Sequence, residues 1–167
     1  MTFRKSFASL VVVVSSLAAM SSAWAACDTK HQNQTPNSRY VISGGEAFDK
    51  QTNLTWQRCS LGQEWKEQSG CVGGVEQLSW GQANLQASGL WRLPSKDELM
   101  TLVSAACKNP SVNDKVFPNM DPENLWYWSS TPYDNTLSQF VNFGSGHLSG
   151  VAFRLDLFSV RLVQEPK

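Results

Sequence analysis

The sequence predicts an α+β fold in which two helices pack on an antiparallel sheet and disulfides brace the domain. Two capping boxes, Ser79 with Gln82 and Ser95 with Glu98, mark helix starts that are followed by apolar residues at helical spacing. The last third of the chain has short apolar runs between turn residues, which is typical of antiparallel strands. Four cysteines in a chain with an export signal indicate disulfides before metal or redox chemistry.

Residues 1–25 are predicted to be a secretory signal peptide. Arg4 and Lys5 precede an apolar run that ends in Ala23-Trp24-Ala25, the order typical of such signals. The run is shorter than the ~20 apolar residues that span a bilayer, so we expect an exported protein that does not span the membrane, located in the periplasm or outside the cell. Lipid anchoring at Cys27 is the disfavoured alternative, because Trp24 stands where such signals have an aliphatic residue.

The mature chain is nearly neutral and of single-domain size. Removing Arg4 and Lys5 from 14 basic residues leaves 12, against 14 acidic ones. A balanced charge argues against a nucleic-acid partner, which requires a basic face. Residues 26–37 are polar and are predicted to form an extended lead-in. Residues 38–167 are predicted to form one domain.

Of the three ways to pair the four cysteines, we favour Cys59 with Cys71 and Cys27 with Cys107. The first bridge closes a short loop that contains glycine, and the second ties the lead-in to the end of the second helix. Each would contribute on the order of 2–4 kcal/mol.

The first half of the domain is predicted to begin with strands. A strand covers 40–42, and a hairpin joins 47–49 to 54–57, with Asp49 bonding back into its turn. The polar segment 59–74 then forms a surface flap around Trp65. Two interpretations of Trp65 stay open: it is a platform for a ligand, or it covers the disulfide.

The two helices follow. The first begins after Ser79 and is predicted to end at Gly89, a left-handed cap. The second begins after Ser95 and is predicted to run along an apolar stripe of Leu99, Leu102, Val103 and Ala106, with Cys107 one turn beyond Val103. Arg92 has no local partner, so we expect a buried or half-buried ion pair or carbonyl contact from its side chain to the sheet.

The remaining segments are predicted to complete the core and the sheet. Phe117 fills the core, and strands cover 126–130, 138–143, 148–154 and 158–163. Alternation turns Trp126 and Trp128 to one side of their strand and Tyr127 to the other, so we expect one set in the core and the other on a face or in a cleft.

Catalytic and metal-binding motifs are missing from the sequence. The two histidines, His31 and His147, stand alone, and there is no CxxC, HExxH, GxSxG or phosphate-binding glycine loop. The cysteine, histidine and carboxylate spacings indicate no cofactor and no metal site. The sequence therefore favours a protein that is not an enzyme.

An aromatic and amide cluster instead indicates ligand binding. Tyr133, Asp134 and Asn135 follow Pro132 in a predicted exposed turn, and Asn142 lies nearby in sequence. An aromatic ring covers the apolar face of a pyranose while amides and carboxylates bond its hydroxyls, so this composition suits a sugar. The candidate ligand-binding residues are Tyr133, Asp134, Asn135, Asn142, His147 and Trp65. The alternative is that most of these rings fill the core.

Several short motifs occur in a fixed order along the mature chain. They are Asp49 with Leu54-Thr55-Trp56-Gln57-Arg58-Cys59, Trp91-Arg92-Leu93-Pro94-Ser95 with Glu98-Leu99, Phe117-Pro118-Asn119, Tyr127-Trp128-Ser129-Ser130-Thr131-Pro132, Val141-Asn142-Phe143 and Val160-Arg161-Leu162-Val163. This ordered set resembles the Lcl carboxy-terminal domain family of exported bacterial proteins. The Arg-Leu-Pro-Ser segment is also similar to a helix start in the formylglycine-generating-enzyme group, whose catalytic cysteine arrangement is absent here.

The resemblance implies a C-type-lectin-like α+β fold, with two helices on a small twisted antiparallel sheet. It also implies surface adhesion and binding of sulfated or acidic glycans, although a neutral chain offers few cations for them. Asp121-Pro122-Glu123-Asn124 differs in order from the calcium motif of C-type lectins and indicates no calcium. We therefore expect a non-enzymatic, adhesion-type binding module for a glycan or a protein surface. The alternative is a periplasmic inhibitor or immunity protein that blocks a partner enzyme.

Overall fold

The protein is built mainly from short β-strands. A computed structural model describes residues 26–27, 35–144 and 148–165. Within these residues the strands are β1 (Ala26–Cys27), β2 (Tyr40–Ser43), β3 (Glu46–Asp49), β4 (Leu54–Gln57), β5 (Glu64–Lys66), β6 (Gly70–Val72), β7 (Gln77–Leu78), β8 (Trp91–Arg92), β9 (Cys107–Lys108), β10 (Trp126–Pro132), β11 (Leu137–Asn142), β12 (Leu148–Phe153), β13 (Phe158–Ser159) and β14 (Val163–Gln164). The helices are α1 (Trp80–Asn84), α2 (Lys96–Met100) and a 3₁₀ turn (Asn37–Arg39).

The predicted α+β fold of two helices on one sheet is therefore wrong. Each α-helix is only five residues long, and two five-stranded sheets dominate the described chain. Both capping boxes form as predicted, so the helix starts are confirmed. What the apolar spacing did not determine is where the helices end.

The second helix stops because its backbone finds other partners. The hydroxyl of Thr101 donates to the Glu98 carbonyl, and Ser104 N donates to the Ser111 carbonyl at 2.9 Å, which leaves Val103 bridged to Val112. Side-chain bonds of this kind to the helix backbone compete with continuation of the helix. The predicted stripe is still buried at Leu99, Leu102 and Ala106, because turns can place these side chains in the core as well as a helix can.

The first sheet has the strand order β2-β3-β4-β14-β8. Its hairpin β3–β4 confirms the prediction, with Leu54 and Trp56 buried and Asn53 at a φ of 58° in the turn. Asp49 accepts hydrogen bonds from Gln51 N and Thr52 Oγ1, as expected of a turn residue.

The second sheet has the order β12-β11-β10-β13-β7. The predicted strand over 158–163 is instead divided: β13 belongs to this sheet and β14 to the first. Arg161 lies between them, fully buried, and donates to the carbonyls of Gln57 and Arg58. These bonds hold the chain where it crosses from one sheet to the other, so a continuous strand cannot form.

Strand β10 is covered on both faces, contrary to the expectation that one face stays open. Tyr127 and Trp128 point to opposite sides and are both fully buried. Tyr127 packs edge-on against Phe143 in one apolar cluster, and Trp128 packs against Phe158 in the other. Trp126 lies on the same side as Trp128 but remains 47% exposed.

The remaining sequence predictions about contacts are largely confirmed. Phe117 is buried. Arg92 forms the predicted ion pair, but its partners are the nearby Glu98 of α2 at 2.6 Å and Glu165, which follows β14, and not residues within the sheet strands. Cys59 and Cys71 form a disulfide. Cys107 is disulfide-bonded, and its backbone lies opposite that of Cys27 in the β1–β9 ladder, a register that suits the predicted pair.

No helix among the described residues is long and apolar enough to cross a membrane.

Candidate functional site

The residues predicted to bind a ligand lie in separate places. Tyr133, Asp134 and Asn135 form the exposed loop between β10 and β11, and Tyr133 is 63% exposed. The Asp134 carboxylate accepts from the backbone N–H groups of Thr136 and Leu137, each at 2.7 Å. These hydrogen bonds lower the pKa of Asp134 and shape the turn.

Asn142 lies at the opposite end of the six-residue strand β11, about 17 Å from that loop at the usual rise per residue. Its side-chain oxygen accepts from Gly144 N at 2.8 Å and so shapes the next turn. His147 lies outside the described residues. Among the described residues, the structure thus does not bring Asn142 into one site with Tyr133, Asp134 and Asn135.

A cleft of about 610 Å³ opens elsewhere, on the outer face of the first sheet. It lies between the β2–β3 turn, the end of β4, the 59–66 segment and β8. The residues that line it are Ser43, Gly45, Glu46, Gln57, Cys59, Ser60, Leu61, Gly62, Gln63, Glu64, Trp65 and Trp91. We call it the Trp65 cleft.

The floor of the Trp65 cleft carries a row of polar side chains. Ser43 lies directly opposite Glu46, and Glu46 lies directly opposite Gln57, in the β2–β3–β4 ladder. Directly opposed residues project from the same face with Cβ atoms about 5 Å apart. The three side chains make no hydrogen bond or ion pair with the described part of the chain, so a hydroxyl, a carboxylate and an amide are free to bind a ligand.

Trp65 forms one wall of the cleft, on the flap hairpin β5–β6. The guanidinium of Arg58 lies 3.8 Å from the centroid of the indole, whose Nε1 donates to Glu67 at 3.1 Å. Gly45 permits this packing, because a Cβ there would come within 3.0 Å of the Trp65 Cβ. The ring is therefore held in place rather than mobile on a loose flap. Trp65 also lies opposite Cys71, so both interpretations of it have structural support.

Arg58 anchors that wall from behind. It is buried and donates to the carbonyls of Val116 at 2.9 Å, Gly44 at 2.8 Å and Lys115 at 3.2 Å. Burial lowers the pKa of Arg58, although the nearby Glu67 opposes the shift. The side chain thus connects the β2–β3 turn to the 115–116 segment beneath the flap.

Trp91 forms the other wall. It lies in β8 opposite Gln164, which in turn lies opposite Thr55 of β4, so the indole shares the outer face with Thr55 and Gln57. Trp91 is half-buried and packs against the second apolar cluster. Two tryptophans therefore flank the row of free polar groups.

The charge of the cleft comes from carboxylates. Glu46 is unpaired within the described chain, and Glu64 pairs with Lys66 at 2.7 Å in an exposed ion pair. No group of three or more potential metal ligands occurs among the described residues.

Sequence reasoning named Trp65 but not the other residues of the cleft. Strand alternation would have placed Ser43, Glu46 and Gln57 outward, since Ala47 and Trp56 face the core. No sequence signal indicated that β8 would join the same sheet through β14, which is what brings Trp91 to the cleft.

Comparison with known proteins gives one match. The family model described as the Lcl C-terminal domain matches residues 45–164. A search of curated proteins and a search of solved structures found no match.

Proposed function

Because the chain belongs to the Lcl C-terminal domain family, we propose that it is an exported binding module without catalytic activity and that its Trp65 cleft binds a neutral carbohydrate. The family and the Cys59–Cys71 disulfide fit an exported protein. The observation that carries the proposal is the placement of two tryptophans on either side of Ser43, Glu46 and Gln57, whose side chains have no partner in the described chain.

The chemistry of the cleft suits a sugar. An indole packs against the C–H face of a pyranose ring, and hydroxyl, amide and carboxylate groups exchange hydrogen bonds with its hydroxyls. The volume of about 610 Å³ lies within the ~300–1,000 Å³ of ligand pockets. The polar row is already arranged by the sheet, so little ordering is required on binding.

The charge of the cleft favours a neutral glycan over a sulfated or acidic one. Glu46 and Glu64 both line it, and the nearest buried cation, Arg58, is covered by the Trp65 ring and held by three carbonyls. A sulfate in the cleft would face the unpaired Glu46 carboxylate and a Glu64 carboxylate already paired with Lys66, without an available guanidinium. This differs from the ligand class that the family resemblance implied.

The test is a glycan array followed by titration calorimetry on the best neutral glycan. We expect Trp65→Ala to abolish detectable binding and Glu46→Gln to weaken it on the order of tenfold, as loss of a hydrogen bond to a charged group. Tyr133→Ala is the control, because Tyr133 is an exposed aromatic residue that lies outside the cleft. The proposal would be contradicted if Tyr133→Ala abolished binding while Trp65→Ala left it unchanged. It would also be contradicted if only sulfated glycans on the array bound the protein.

An inhibitor or immunity function is the second candidate, and one observation favours it. Strand β12 is the outer strand of its sheet, and Val151, Phe153, Leu155 and Leu157 are all exposed along and after it. Apolar side chains on an open strand edge suit a protein partner. Co-purification of one hydrolase in stoichiometric yield, lost on Phe153→Asp but kept on Trp65→Ala, would support this function over glycan binding.

A further inference from the structure

A second, smaller pocket lies on the other sheet. It has a volume of about 210 Å³ and is lined by Gln77, Glu123, Asn124, Trp126, Leu157 and Phe158. None of these residues belongs to the Trp65 cleft. We call it the Trp126 pocket.

Trp126 is a fixed and partly open aromatic surface in this pocket. Its ring stacks on Phe140 with centroids 5.0 Å apart and planes 7° apart, and it meets Phe158 edge-on at 5.2 Å. Even so, 47% of the residue remains exposed. Its neighbours Tyr127 and Trp128 are fully buried, so the fold holds the one exposed aromatic residue of this strand at the pocket.

Hydrogen bonds also hold the polar residues of the pocket in place. Asn124 donates from Nδ2 to Asp121 at 2.7 Å and accepts a hydrogen bond from the Gln77 amide nitrogen. That second bond uses the nitrogen of Gln77 and leaves its carbonyl oxygen without a partner among the residues that the structure describes. The Glu123 carboxylate likewise has no partner among the described residues, while its own backbone N–H is held by Asp121 at 3.0 Å.

The pocket therefore places two acceptors that are unpaired among the described residues, the Glu123 carboxylate and the Gln77 carbonyl oxygen, beside an indole. A neutral pyranose offers the complement: a C–H face for the ring and hydroxyl donors for a carboxylate and an amide oxygen. Leu157 and Phe158 add apolar contact at the rim.

We propose that the Trp126 pocket is a separate binding site for a single neutral pyranose, with Trp126 as the stacking surface and Glu123 and Gln77 as acceptors. It stands independently of the Trp65 cleft, because it uses different residues on a different sheet. For a ligand of monosaccharide size in an open pocket, the expected dissociation constant is on the order of 1–10 mM.

The test is an NMR titration of ¹⁵N-labelled protein, expressed with its export signal and purified from the periplasm. The probes are methyl β-D-glucopyranoside, methyl β-D-galactopyranoside and N-acetylglucosamine, with choline chloride as a counter-probe. We expect saturable shifts of the Trp126 indole N–H with at least one of the sugars. Trp65→Ala should leave those shifts unchanged, which separates this site from the Trp65 cleft.

Variants in the pocket complete the test. Glu123→Ala should weaken sugar binding on the order of tenfold, and it removes an exposed side chain without touching the core. Trp126→Phe keeps packing against Phe140, and the backbone N–H signal of Leu157 then reports binding in place of the indole. The proposal is overturned if no sugar shifts the Trp126 indole up to 100 mM, if Glu123→Ala changes nothing, or if choline binds and the sugars do not.

Discussion

The Arg58 guanidinium lies 3.8 Å from the centroid of the Trp65 ring while donating to three backbone carbonyls from Gly44, Lys115 and Val116. One buried cation thus joins the β2–β3 turn, the 115–116 segment and the flap. Planar guanidinium geometry makes this possible, because an ammonium cannot stack on a ring and reach three divergent acceptors at once.

Arg58→Lys should therefore loosen the flap. We expect a loss of about 2 kcal/mol in the free energy of unfolding, from the lost fork of buried hydrogen bonds, measured by urea denaturation. Limited proteolysis should cut the 59–74 segment faster than in the unaltered protein. Lys66→Gln is the control, since its exposed ion pair with Glu64 should be worth less than about 0.5 kcal/mol. Equal effects of the two changes would contradict the anchoring role.

Substituting alanine should lower the stability of the protein at Gly45 and raise it at Gly81. At Gly45 a Cβ would lie 3.0 Å from Trp65 Cβ and 3.3 Å from its Cγ, so Gly45→Ala should displace the flap and cost about 1–2 kcal/mol. Gly81 lies in α1 with nothing within 4 Å of such a Cβ, so Gly81→Ala should stabilise the protein by about 0.5–1 kcal/mol. Thermal unfolding of both variants measures this, and destabilisation by both would refute it.

Stability should fall at acidic pH because of Asp49. Burial alone would raise the pKa of this carboxyl, but bonds from Arg39, Thr52 and Gln51 outweigh burial, and the pKa is lowered. A carboxyl with a lowered folded-state pKa contributes fully above its unfolded pKa of about 3.9, and the contribution is lost as pH falls through the folded value. The melting temperature should therefore decrease below about pH 4.

Asp49→Asn is the control for that pH dependence. The variant should be less stable at pH 7, because Arg39 loses its buried counter-ion, and its melting temperature should depend less on pH below 4. An unchanged acid profile in Asp49→Asn would show that another group is responsible.

Comparing the two capping boxes measures how much the Arg92–Glu98 ion pair adds to the stability that a cap provides. Glu98 caps Ser95 N at 2.7 Å and also pairs with Arg92, whereas Gln82 caps Ser79 at 3.0 Å without an ion pair. Each cap should be worth about 1 kcal/mol. Glu98→Ala should cost about 0.5–1 kcal/mol more than Gln82→Ala, a modest excess because Arg92 remains 33% exposed. Chemical denaturation of both variants checks the difference, and equal losses would show the ion pair to contribute nothing.

Peptide mapping under non-reducing conditions should recover Cys59 linked to Cys71 and Cys27 linked to Cys107. The first bridge is present in the structure, and the facing backbones of Cys27 and Cys107 favour the second. Reducing the first, which closes a sequence separation of 12, should cost about 3 kcal/mol. A peptide linking Cys27 to Cys59 would refute the pairing.

Local features were predictable from the sequence because they depend on neighbouring residues. The capping boxes at Ser79 and Ser95, the turn at Asn53 and the burial of Leu99 all follow from short-range spacing. The length of the second helix was not predictable in this way, because Ser104 N bonds to the Ser111 carbonyl, a partner that only the returning chain supplies. Trp65 is a candidate from sequence alone, but the cleft around it is assembled from four segments: the β2–β3 turn, the end of β4, residues 59–65 and β8.

The surroundings of β10, the strand that begins with Trp126, Tyr127 and Trp128, also could not be predicted from local sequence. Alternation correctly separated Trp126 and Trp128 from Tyr127, yet it could not show that a second apolar cluster covers the other face of β10. Exposure of Trp126 depends on where β11 and β13 end beside it. Such neighbours are set by topology and not by local composition.

The position of β14 between β4 and β8 has a consequence for how the protein reaches its native state. Val163 and Gln164 are synthesised after both β4 and β8, and until they are made β4 and β8 have no common neighbour. The first sheet, and with it the Trp65 cleft, can close only after β14 has been made. A sheet whose middle strand comes from so distant a segment must close a long loop before it forms, which slows folding.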